Sequence, residues 1–130
     1  MAVIPRETVP VIIERYDRVA LVGGPNSGKT TATQSVRGRP VIHATKFHGM
    51  GWKNQPGLIR AEVKNQSRFV VEGVQVARAL RKGLKVDAAI WMNPIPGRQS
   101  RKQETMTKGI KKIFLEWWAS KPGARIFIAR

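Results

Sequence analysis

A chain of 130 residues with 42% hydrophobic side chains has room for one domain with a real core and for only small insertions. Its 24 Lys and Arg against 8 Asp and Glu give a formal charge of +16, which fits a polyanionic partner, nucleic acid first, through counterion release. The lack of cysteine excludes disulfides and thiolate metal sites, and no apolar run approaches the ~20 residues that span a bilayer, so a soluble, cytoplasmic protein without a membrane partner is expected.

Residues 1–17 hold Pro5, Arg6, Glu7 and Pro10 where an export signal would need an unbroken apolar stretch. With only a short apolar run, Val9 to Ile13, this segment reads as an N-terminal arm or a brief element packed on the core. Residues 18–130 read as the single domain.

Arg18 to Val22 is an apolar run of strand length that ends at Gly23. Gly23 and Gly28 bracket four residues and are followed by Lys29 and Thr30, the G-x-x-x-x-G-K-[ST] spacing of a phosphate-binding loop. The chemistry needs each residue type. Glycines let the backbone turn its N–H groups around a polyphosphate, and the following helix points its N-terminus at the same oxygens. Lys29 would reach the β- and γ-phosphates, and the Thr30 hydroxyl would hold Mg²⁺. A glycine-rich turn with a solvated lysine also satisfies the bare spacing, but the strand before and the helix after supply the setting the motif requires. Gly23, Gly24, Pro25, Asn26, Ser27, Gly28, Lys29, Thr30 and Thr31 are therefore the expected nucleotide-binding set.

The helix stops at Arg37 to Pro40, and Val41 to His43 is a short second strand. Ala44 to Gly57, rich in Gly, Pro and Asn and carrying His48 and Trp52, reads as a loop over the strand ends. Leu58 to Asn65 suggests a short helix, and Arg68 to Val71 a buried strand ending in Glu72 and Gly73. Val74 to Lys82 is a further helix closed by Gly83, and Val86 to Met92 a fourth strand that Pro94 and Pro96 terminate. Ser100 and Gln103 have capping-box spacing for a long helix to about Ala119. Its apolar side carries Met106, Ile110, Ile113, Phe114 and Trp117; Arg101, Lys108 and Lys112 face the other way. Ala124 to Ala129 closes the chain as a fifth strand. Strands alternating with helices at this density imply an α/β fold with a parallel sheet covered on both faces.

Glu72, directly after four residues of buried-strand character, would lie beside the loop at the carboxyl end of its strand, where open α/β sheets place ligands. Trp52 could stack on a base, although a lone loop tryptophan more often closes a core from above. Trp91 and Trp117 fit the core pattern. No zinc spacing, Ser-His-Asp arrangement or recognition-helix signature stands out.

In Gly23 to Thr31, with Glu72 and Gly73 in support, the chain resembles the small P-loop kinases of the nucleoside, nucleotide and shikimate kinase group. It is also similar to compact kinase-like ATPases of bacteriophage genomes. The resemblance implies a three-layer P-loop NTPase fold with a five-stranded sheet in the order 2-3-1-4-5, ATP with Mg²⁺ as ligands, and an acceptor bound beyond strands two and three. It implies Thr30 and Glu72 at the metal. It also implies a lid at about Gly97 to Lys108, from which Arg98 and Arg101 would stabilise the transferring phosphoryl group. The chain departs from the group after strand two, where the usual aspartate is missing and His43 and His48 stand nearby. His43, His48 or Glu72 could take the acceptor's proton. Expected functions are a kinase acting on a nucleoside, nucleotide or nucleic-acid hydroxyl, a nucleic-acid-associated ATPase with no acceptor, or a basic binding module switched by nucleotide without turnover.

Overall fold

Short runs of β-branched and aliphatic residues, each stopped by glycine, proline or a polar turn, form the strands, and all of them pair in parallel. The computed structural model describes residues 1–130. Its strands are β1 (Ala2–Ile4), β2 (Arg18–Val22), β3 (Val41–His43), β4 (Phe69–Gly73), β5 (Ala88–Met92) and β6 (Arg125–Ala129). They form one six-stranded sheet in the order β1-β6-β5-β2-β4-β3. The helices are α1 (Val9–Arg15), α2 (Lys29–Thr33), α3 (Gln55–Val63), α4 (Val76–Arg81) and α5 (Arg101–Ala119), with 3-10 turns at Arg6–Thr8 and Ala44–Phe47.

The sheet corrects the expected count of five strands to six. The extra strand, β1, comes from the segment expected to be an arm, and pairs Ala2 to Ile4 with Phe127 to Ala129 at the sheet edge. The other five lie as β3-β4-β2-β5-β6, the 2-3-1-4-5 arrangement. Two boundaries also move. α3 begins at Gln55 because Pro56 suits the first turn of a helix, where its missing N–H costs nothing. On α5 the buried stripe begins at Thr107, whereas Met106 is exposed.

Period-two alternation sends β2 side chains to opposite faces. Ala20 and Val22 join Val71, Ala89, Trp91 and Ile126 beneath α3, α4 and α5, which contribute Ile59, Leu80, Ile110, Phe114 and Trp117. Val19 and Leu21 join Val70, Ile90, Met92 and Phe127 beneath α1 and α2, which contribute Val9, Ile13 and Ala32. The result is three layers, helices over both faces of one sheet. No helix is long and apolar enough to cross a membrane.

Both ends of the central strands are pinned. At the amino end the Arg18 guanidinium grips Asp87, Nε to Oδ2 at 3.1 Å and Nη2 to Oδ1 at 2.9 Å. The Arg18 backbone N–H also donates to Oδ2 at 2.9 Å. These hydrogen bonds hold the Asp87 carboxyl below its usual range. At the carboxyl end the register places Leu21 and His43 on either side of Glu72, which brings β2, β4 and β3 together where the functional groups converge.

Candidate functional site

β2 runs straight into the glycine loop and α2 starts at Lys29, so the loop crosses the carboxyl end of the sheet beside β4. Lys29 is 7% exposed and donates from Nζ to the Gly24 carbonyl at 2.6 Å and to Ser27 Oγ at 3.0 Å. Ser27 Oγ in turn donates to the Gly24 carbonyl at 2.9 Å. Burial pushes the Lys29 ammonium down from 10.5 to about 8, against the pull of Glu72.

Glu72 is 3% exposed, and its Oε2 accepts from Thr30 Oγ1 at 2.9 Å and pairs with His43 Nδ1 at 2.5 Å. A carboxylate only accepts, so Nδ1 carries the proton in this contact. Thr30, Glu72 and His43 thus form one cluster drawn from α2, β4 and β3. Glu72, Lys29 and Thr30 line a cavity of about 430 Å³ with Thr31, His48, Gln55, Gln75 and Arg98. Few of its lining residues are hydrophobic. Sharing Gly28, Thr31 and Ile95 with it, another, mainly apolar cavity of about 300 Å³ is lined also by Arg6, Glu7, Pro10 and Ala32.

The expected residues divide accordingly. The cavity takes in Pro25 to Thr31, Glu72 and Arg98, while Gly23 and Gly24 lie behind it. A side chain on Gly24 would begin 2.0 Å from Thr107 Oγ1, so only glycine lets α5 lie this close to the loop. His43 touches Glu72 but is not among the cavity walls; His48 is. Arg101 does not reach the cavity: it sits exposed in the first turn of α5. The 97–108 segment, expected as a lid, is hydrogen-bonded to the loop and to α5. Gln99 Nε2 donates to the Pro25 carbonyl at 2.5 Å and to Thr107 Oγ1 at 2.7 Å. Asn26 Nδ2 donates to the Arg98 carbonyl at 3.0 Å, which latches the segment onto the loop.

One contributor had no signal in the sequence. The Arg6 guanidinium donates to the Ser27 carbonyl and, at 2.6 Å, to the Asn93 carbonyl, and so ties the loop to the end of β5. An arginine flanked by Pro5 and Glu7 gives no hint of a contact 87 residues away. No family model matches the chain, and no curated protein matches it.

Proposed function

We propose that the chain is a small P-loop kinase that binds ATP on Gly23 to Thr31 and moves its γ-phosphoryl group to a hydroxyl held in the 430 Å³ cavity. The observation that carries this reading is the convergence of a buried lysine, a hydroxyl and a buried carboxylate, Lys29, Thr30 and Glu72, in one polar cavity at the ends of adjacent parallel strands. Adjacency of the loop strand and the acid strand is the 2-3-1-4-5 order of the kinase group.

The donor set suits a hard cation. A hydroxyl and a carboxylate 2.9 Å apart offer oxygen ligands only, and Mg²⁺ takes one or two protein oxygens and leaves the rest of its shell to phosphates and water. Bound there by Thr30 and Glu72, Mg²⁺ would supply charge neutralisation at the phosphates. Lys29 neutralises the β- and γ-phosphates, and Arg98, at the cavity wall, faces the transferring group. Glu72 or His48 accepts the hydroxyl proton as the acceptor oxygen bonds to the γ-phosphorus. The bond from that phosphorus to the β,γ-bridging oxygen breaks, and ADP leaves. His43 holds Glu72 in place. The mainly apolar cavity beside Arg6 and Pro10, which shares Gly28, Thr31 and Ile95 with the polar one, is the seat assigned to the nucleotide base.

Calorimetric titration with ATP and Mg²⁺ tests this directly. Lys29→Ala is expected to abolish binding, and Glu72→Gln to keep ATP affinity within a few-fold while transfer falls roughly 10²- to 10⁴-fold. Equal ATP binding by wild type and Lys29→Ala would remove the basis of the reading.

A further inference from the structure

Two residues that line the acceptor cavity, His48 and Gln55 at the start of α3, bracket the loop of residues 49–54. Between them Met50 and Trp52 stand 55% and 57% exposed. Trp52 therefore does not close the core from above. Its exposure is built into the backbone. Met50 N–H donates to the Phe47 carbonyl at 3.1 Å, Asn54 N–H to the Gly51 carbonyl at 3.0 Å, and Asn54 Nδ2 to the Met50 carbonyl at 3.0 Å. Gly49 and Gly51 take φ of 93° and 81°, conformations that turn the chain tightly about Met50.

The indole has a cationic backing. The Arg78 guanidinium lies 5.4 Å from the Trp52 ring centroid, and its Nη1 donates to Gln75 Oε1 at 3.4 Å. Gln75 lines the acceptor cavity, so contacts run without a break from the cavity through Gln75 and Arg78 to Trp52. Arg78 lies over the ring, and the residue is still more than half exposed. The charge around it is positive. Lys53 follows Trp52 directly, and Arg98 lines the cavity.

We propose that Trp52, backed by Arg78 and flanked by Met50 and Lys53, is a stacking platform for a base of single-stranded nucleic acid whose terminal hydroxyl enters the cavity. The acceptor is then a polynucleotide end and not a free nucleoside, an inference that rests on the kinase reading above. An apolar ring over a guanidinium stacks any base, and the cations beside it and the +16 of the chain match phosphodiesters. An apolar protein partner would gain nothing from that charge.

The test is fluorescence anisotropy of a labelled oligothymidylate of roughly 12 nucleotides, a length within the span of one such groove, at low salt and without ATP. Wild type is expected to bind, Trp52→Ala to bind about tenfold more weakly or worse, and Trp52→Phe to recover most of the loss. Equal affinity of Trp52→Ala and wild type, or no binding by wild type, overturns the platform; a Trp52-dependent interaction with an apolar peptide in place of the oligonucleotide does the same. Trp52-dependent binding with no phosphate transfer keeps the platform and removes the kinase. Transfer to free thymidine that ignores Trp52 keeps the kinase and removes the platform.

Discussion

Lys29 carries opposing demands in one side chain. In the kinase reading it must be charged to meet phosphates, yet burial lowers it from 10.5 to about 8, a difference worth about 3 kcal/mol against the folded, nucleotide-free chain. The sign follows from proton counting. Between pH 8 and 10.5 the unfolded chain holds the Lys29 proton and the folded chain sheds it, so this group's contribution to stability rises with pH through that window. Lys29→Met is therefore expected to raise the melting temperature of the nucleotide-free protein at pH 7 and to flatten its pH dependence above pH 8. A melting temperature at or below wild type would mean that the hydrogen bonds to Gly24 and Ser27 outweigh desolvation. Residue-level legibility was uneven. Lys29 and Thr30 announce themselves by spacing, and Glu72 by its position after a strand. The link between Glu72 and His43 depends on cross-strand register, which no local pattern encodes.

Among the elements, the N-terminal segment holds most of what the sequence conceals. β1 has three residues with an exposed Val3 at a sheet edge, too few to show alternation. Its pairing with β6 sets the chain's direction into the Arg6–Thr8 turn, from which Arg6 spans the Ser27 and Asn93 carbonyls. Only the forked guanidinium can meet both. Arg6→Ala is expected to raise the Kd for ATP about tenfold, in line with the loss of hydrogen bonds to a charged group, and Arg6→Lys to restore little of it. Unchanged affinity in the alanine variant would confine Arg6 to a structural tie. α5 shows the opposite case. Its capping box was legible, and Gln103 N–H does donate to Ser100 Oγ at 3.2 Å. Burial of Thr107 in place of Met106 is not legible, because hydropathy favours Met106 and says nothing of Gly24 across the interface.

For the whole molecule, alternation of strand and helix sufficed for the parallel sheet, since buried parallel strands read as continuous apolar runs. The cavity was hidden, because it is assembled from residues far apart in the chain: His48 before and Gln55 at the start of α3, Gln75 before α4, Arg98 after β5. The positive charge is spread over the chain and becomes informative only where it borders an exposed aromatic ring. The most direct measurement follows the label from γ-labelled ATP with Mg²⁺ and an oligonucleotide bearing free hydroxyl ends. Label is expected on the oligonucleotide, absent with Lys29→Ala and strongly reduced with Glu72→Gln. Label found solely as free phosphate, or left on ATP with this and every nucleoside and nucleotide acceptor, would contradict the kinase.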